Sequence, residues 1–305
     1  MSNLQVLDSP APAEPRGAGA QPEPLTTTGP RGPKRPGRDR RRRGSKRAYI
    51  LPGAVIVLVV AWAAFPGLFA PADPIAGNAA VALSPPSAEH LFGTDATGRD
   101  VFSRVVHGAI HSLSGALLAV TVGLIVGSTL GIVAGSAPRV LDDVIMRVVD
   151  VLLAIPSLLL SLSVIILLGF GTLQAALAVG VASIAAFARL ARSEVVRVRR
   201  SDYVEAAFGS GATFSSVLLR HVLPNSTTAV LALAALQFGT AILAISTLGF
   251  LGYGAPPPTP EWGLMVAEGR DYLATAWWLT TLPGLVVVAV VLSANRISAL
   301  IGRHQ

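Results

Sequence analysis

Cysteine is missing from all 305 residues, so neither a disulfide framework nor a thiolate metal site is available. Lysine occurs only as Lys34, after Pro33, and Lys46, after Ser45. The Gly-Lys-Ser/Thr loop that cradles nucleotide phosphates is therefore absent. So are His-Glu-x-x-His and Gly-x-Ser-x-Gly. The five histidines (90, 107, 111, 221 and 304) show no metal-ligand spacing; His107 and His111 stand four apart, but no carboxylate follows them at helical spacing. Charge is scarce as well, at 13% of residues against about a quarter in soluble domains. These absences argue against catalysis, a bound cofactor or a metal in this chain, and against an ordinary soluble fold.

What is present is apolar: 52% of the chain, with positive mean hydropathy. A membrane-spanning helix needs about 20 such residues to cross a hydrocarbon core of about 30 Å. Six stretches qualify, at roughly 49–69, 112–136, 144–168 (with Pro156 as a kink), 173–190, 227–251 and 276–300. The expectation is an all-α integral membrane protein divided into three regions. Residues 1–47 form a tail, 48–110 the first span plus an outer segment, and 111–305 the core, which includes a polar loop over 197–225.

The tail has eight prolines, no aromatic residue and, from Arg31 to Arg47, ten Lys/Arg against one Asp. Such a segment buries too little surface to offset its ordering entropy. Its charge suits anionic lipid on the cytoplasmic side better than a nucleic-acid partner. With the N-terminus inside, six spans also place the C-terminus inside. Twenty-one of the twenty-four basic residues then fall inside, and only Arg99, Arg104 and Arg270 outside. That asymmetry agrees with the positive-inside rule for a multi-pass plasma-membrane protein.

Within the spans, Gly115, Ala119, Gly123, Gly127, Gly131 and Gly135 recur every four residues along one helix face. A stripe of small residues lets two backbones approach closely where lipid supplies no hydrophobic drive between helices. It suits a neighbouring span of the same chain or a subunit interface. Polar residues in the spans are few and uncharged, and no Asp, Glu, Lys or Arg falls near a midplane; Asp150 lies nearest, about two turns into the third span. Proton-coupled carriers and charge-selective channels tend to keep such residues. The spans read as a smooth, weakly polar conduit.

Four motifs remain. Tyr203-Val204-Glu205-Ala206-Ala207-Phe208-Gly209, followed by Arg220-His221-Val222-Leu223-Pro224-Asn225, is a polar island between two spans. It reads as a short helix from Asp202, capped by Ser201 or Asp202 and ended by Gly209, then a second helix stopped by Pro224. Gly93-Thr94-Asp95-Ala96-Thr97-Gly98-Arg99-Asp100-Val101-Phe102-Ser103-Arg104 precedes the second span, and its Asp95, Arg99, Asp100 and Arg104 suit a local ion-pair network. Leu248-Gly249-Phe250-Leu251-Gly252-Tyr253-Gly254 and the proline run Pro256 to Pro260 lead to Glu261-Trp262-Gly263. Trp262, Trp277 and Trp278 there suit an outer aromatic belt, or ligand stacking. Asp142, Arg147, Asp150 and Pro156 surround the third span.

Together these motifs resemble the permease subunits of ABC importers, of the binding-protein-dependent dipeptide/oligopeptide type, over roughly residues 68–295. The resemblance implies the six-helix type I importer permease fold. It also implies a loop around Glu205 and Gly209 (with Tyr203, Ala206, Ala207, His221, Leu223, Pro224 and Asn225) that docks onto a separate ATPase. Partners would be a second homologous permease, two ATPase domains that bind ATP and Mg, and an extracytoplasmic solute-binding protein. Dipeptides or short oligopeptides are the expected cargo, with haem, nickel or glutathione also served by such systems. The alternative is an ATP-independent carrier or channel. The long basic tail and the Arg296-Ile297-Ser298-Ala299-Leu300 ending depart from the family pattern.

Overall fold

The computed structural model describes residues 47–301, so all of the basic tail except Arg47 lies outside the described residues. Helix α1, Arg47–Ala64, ends where Phe65 leaves the helical region ahead of Pro66 (φ −134°, ψ 57°). Helix α2 runs Val101–Ser136; Asp100 caps it by accepting from the Ser103 N–H at 2.7 Å, and Gly123–Gly127 form a π-helical turn within it. Helix α3, Arg139–Ala154, and helix α4, Ser157–Leu168, meet at 98°. Helix α5 is Thr172–Arg199, α6 Asp202–Gly209, α7 Phe214–Val217, α8 Leu223–Phe250, α9 Trp262–Gly269 and α10 Trp278–Ile301.

Four of these segments are long and apolar enough to cross a membrane: Val101–Ser136, Thr172–Arg199, Ser226–Phe250 and Trp278–Ala299. The pair α3 and α4 makes a fifth crossing if counted as one span, and the shorter apolar Ile50–Ala64 supplies the sixth apolar helix. The kink expected at Pro156 is a complete break. Ile155 is extended (φ −84°, ψ 129°) and Pro156 continues extended (φ −53°, ψ 128°). Pro156 offers no N–H, and its ring crowds both the preceding residue and the turn before it.

The small-residue stripe of α2 lies against α5. A Cβ at Gly123 would stand 1.9 Å from Ser183 Oγ, at Gly127 2.4 Å from the Ile184 carbonyl, at Gly131 2.3 Å from the Ala188 carbonyl, and at Gly135 2.9 Å from Val195. Gly115 has more room, with Ile245 of α8 at 3.4 Å. The sequence offset stays near sixty, so the two helices run parallel with backbones almost touching. Gly180 completes the contact from α5, against Ala119 and Val122 of α2. Around this pair the core gathers Val105, Val106, Phe187, Ile245, Leu248 and Val290, all at most 2% exposed. Large apolar side chains such as Leu117, Ile125, Leu167 and Leu292 point outward, more than half exposed, as a bilayer-facing surface requires.

Two further packing features depart from the sequence reading. Trp262 is fully buried and donates from Nε1 to the Val105 carbonyl (3.0 Å). Trp278 is also buried and donates to the Thr94 carbonyl (3.2 Å). Only Trp277, 52% exposed, is placed to serve an aromatic belt. A buried indole keeps its N–H bonded because an unpaired donor there is costly.

Gly131→Leu should prevent the approach of α2 to α5, at about 1–3 kcal/mol or more from overpacking. The measurement is the fraction of monodisperse protein recovered in mild detergent; Gly284→Ala, where nothing lies within 4 Å, should recover like the parent.

Candidate functional site

Three features carry chemistry: the loop after α5, the segment before α2, and a cavity between the spans. The loop is built on α5. Val195 and Val198 at the end of α5 bury Val204 of α6 and Val217 of α7, with Ile132, Ala207, Ala212 and Leu218 around them. The opposite face shows Glu205 and Ala206, with Tyr203 46% and Phe214 44% exposed. Arg199 ties the base together: Nη1 donates to the Gly135 carbonyl at 2.6 Å, and the guanidinium lies 5.5 Å from the Phe214 ring. Glu205 makes no ion pair or side-chain hydrogen bond within the described residues. Helix α6 thus presents two exposed carboxylates without an ion pair among the described residues, Asp202 at its start and Glu205 on its outward face. The side chains of His221 and Asn225 lie outside the described ones.

Several details of the loop differ from the sequence reading. Ser201 does not cap α6 with its hydroxyl, which donates to the Val198 carbonyl; its own carbonyl accepts from Val204 and Glu205. Gly209 is the last helical residue, and Gly211 takes the left-handed conformation (φ +88°). The Ala212 N–H then reaches back to the Ala207 carbonyl at 3.1 Å, a Schellman closure. Pro224 does not stop the second helix. The chain passes from α7 through a π turn, Leu218–Val222, into α8, with Pro224 in the first turn of α8. A wider turn absorbs the hydrogen bond that proline cannot make. Leu223 is half-buried at this entry to the span.

The segment before α2 is a folded staple. Gly93 (φ +72°) and Gly98 (φ +76°) turn left-handed where a Cβ would strike the Ser84 and Asn78 carbonyls. Thr94 accepts from the Ser84 N–H and donates to the Val81 carbonyl. Asp95 accepts from the Thr97 N–H (2.9 Å), the Thr97 hydroxyl (2.8 Å), the Arg99 N–H (3.0 Å) and Arg99 Nε (2.6 Å). Burial pushes the Asp95 carboxyl up, but these donors outweigh it and hold it below the ordinary range. Arg104 is 1% exposed and reaches the Pro74 and Pro258 carbonyls (3.2 Å each) and Glu268 (3.1 Å). Asp100 does not join the arginines: it caps α2 and pairs with His90 at 3.0 Å. Ser103 donates to the Ala72 carbonyl.

Two acids that the sequence reading left without a role complete this end. Glu268 of α9 bridges Arg104 and Arg99. Glu261, 1% exposed, caps α9 by accepting from the Gly263 (2.9 Å) and Leu264 (2.8 Å) N–H groups, with the Ser112 hydroxyl at 3.4 Å. Burial raises its carboxyl above the usual range, and those same donors limit the rise. An acid directly after a proline run and before an apolar helix is the signal that marks such a cap.

Between α2, α4, α5 and α8 lies a cavity of about 470 Å³, lined by Ser157, Ser161, Ser183, Gln237, Thr240 and Thr247 among apolar residues, with no charged side chain. Four of its hydroxyls donate to carbonyls of their own helices: Ser161 to Ser157, Ser183 to Gly180, Thr240 to Gln237 and Thr247 to Leu243. Their lone pairs remain as acceptors in the cavity, beside one primary amide.

The family described as "Binding-protein-dependent transport system inner membrane component" matches residues 127–305. The di/tripeptide transport system permease protein DppC of Pseudomonas aeruginosa (strain UCBPP-PA14) is 42% identical over 246 residues, 79% of this chain and 81% of its own length. The probable D,D-dipeptide transport system permease protein DdpC of Escherichia coli (strain K12) is 38% identical over 269 residues, 86% and 90% of the two chains. The glutathione transport system permease protein GsiD of Escherichia coli O157:H7 is 42% identical over 210 residues, 69% of each. Among solved structures, an inward-facing MetNI methionine ABC transporter aligns with a TM-score of 0.53 at 18% identity, covering 66% of this chain and 97% of that one. An amino acid ABC transporter with histidines aligns at 0.54 and 16%, covering 67% and 95%. At these identities the likeness speaks for the fold alone.

Arg104→Gln strips two carbonyls and Glu268 of their partner and should cost about 3 kcal/mol, read as a lower melting temperature in detergent. Because the folded state lowers the Asp95 pKa, that stabilisation is full above the ordinary aspartate value of about 4 and fades as pH falls below it. Hydrogen exchange over 90–104 should quicken in that acid window in the parent, and Asp95→Asn should remove the pH dependence.

Proposed function

Since this chain belongs to the binding-protein-dependent inner-membrane components, the permease subunits of ABC importers, we propose that it carries peptides inward with ATP hydrolysed by a partner. The observation that carries this reading is the lever after α5, where Glu205 stands exposed and unpaired on a helix whose other face is locked to the span by a valine cluster. A rigid attachment of that kind transmits displacement into α5 rather than dissipating it. Glu205 is the ionic contact to an ATPase, with Tyr203 and Ala206 beside it, Ala207 fixing the helix to the valine cluster behind, and Gly209 and Gly211 the turn.

The other partners follow from the same reading. A second homologous permease completes the passage. Two ATPase domains bind ATP and Mg, and a solute-binding protein delivers cargo to the face holding Asp95, Arg99 and Arg104. The N- and C-termini lie in the cytoplasm, in keeping with the basic residues 139–147 and 189–200 at the lever end. Alternating access opens the cavity beside Gln237 and Thr240 to each side in turn. The di/tripeptide, D,D-dipeptide and glutathione permeases to which the chain is similar support dipeptides or short oligopeptides, glutathione included, as cargo.

The test replaces Glu205. Glu205→Lys in the assembled transporter should abolish binding-protein-dependent uptake by at least about tenfold while membrane insertion and yield stay at parental levels. Gly209→Pro should act likewise by deforming α6. Uptake at the parental rate by Glu205→Lys, or uptake by the purified chain alone in liposomes, would overturn the coupling role.

A further inference from the structure

Where α2 ends and α3 begins, Arg139, Arg192, Arg199 and Arg200 surround a cavity of about 370 Å³ that holds a single acid, Asp142. Asp142 is already committed. It takes a two-pronged contact from Arg192, through Nε and Nη2 at 2.6 Å each. Arg199 is likewise engaged with the Gly135 carbonyl, which removes the backbone acceptor most able to repel an anion here. Arg139 and Arg200, both exposed, have no acidic partner among the described residues. The cavity therefore carries an unneutralised excess of positive charge, in a volume within the usual range of small-ligand pockets, about 300–1,000 Å³.

We infer that this cavity is a binding site for a phosphate-bearing anion, and that an anionic phospholipid headgroup fills it. A fork of guanidinium N–H groups matches phosphate oxygens in geometry as well as charge. The surroundings favour lipid over a soluble phosphate. Val140, Val144, Val148 and Val151 recur along one face of α3, each at least 58% exposed, beginning beside Arg139. That strip would lie along an acyl chain while the headgroup sits among the arginines. Basic pockets between spans on the cytoplasmic side are the usual setting for such headgroups. The site touches the base of the lever through Arg199 and Arg200, so occupancy would steady the joint between α5 and α6.

The experiment uses the full-length chain in detergent, titrated with phosphatidylglycerol or phosphatidylcholine and read by native mass spectrometry. Phosphatidylglycerol should be retained about tenfold more than phosphatidylcholine, and Arg139→Gln combined with Arg200→Gln should erase about that factor. Arg147→Gln, an exposed arginine on α3 that does not line the cavity, should change retention by less than about twofold, given its distance from the site. Millimolar inorganic phosphate separates the two sources: displacement of the lipid marks a site filled from solution, and resistance marks a headgroup site. Equal retention of both lipids, or equal loss in Arg147→Gln, would overturn the site.

Discussion

The close approach of α2 and α5 is the constraint on which the other features depend. Glycine at 123, 127 and 131 brings two backbones within contact in a medium that offers no hydrophobic drive between helices. Because the two helices run parallel, everything fixed to one is indexed to the other along its whole length. The staple sits at the start of α2, the cavity beside Ala119 and Ser183, and the loop helices at Val195 and Val198. Widening that contact would move all three at once.

The distribution of charge follows from the same economy. Around the central cavity Ser161, Ser183, Thr240 and Thr247 donate to carbonyls of their own helices, and no charged side chain lines it. Charge is kept to the two ends. At one end Asp95, Arg99, Arg104 and Glu268 neutralise one another and bind the segment before α2 to α9. At the other, Asp142 and Asp150 of α3 pair with Arg192 and Arg189 of α5, an antiparallel ladder that holds the broken third span against the fourth. The arginines left over at that end form the proposed phosphate site, and Glu205, like Asp202 at the start of the same helix, is left exposed without an ion pair among the described residues.

Much of the fold was legible in the sequence because span length and the four-residue glycine period are local properties. The lever was legible as a helix pair for the same reason. What misled was the assignment of single residues to turns. Gly209 and Gly211 differ in role only through the Ala212–Ala207 closure, which the spacing does not specify. Pro224 looked like a stop, yet a π turn ahead of it absorbs the missing hydrogen bond. Pro156 looked like a kink, yet two consecutive extended residues break the span through 98°. The tryptophans suggested a belt by position alone, whereas partners more than a hundred residues away bury Trp262 and Trp278.

The sequence by itself determined a basic, many-spanned, weakly polar membrane chain, since composition and periodicity act over one helix at a time, and its motifs carried the resemblance to a transporter family. Tertiary structure alone decided which face of the glycine stripe was covered and by what. It also paired Arg104 with Glu268, buried Glu261 as a cap, and gathered four arginines around one committed aspartate. The Arg192–Asp142 and Arg104–Glu268 contacts join residues 50 and 164 positions apart, where burial and geometry, not local propensity, choose the partner.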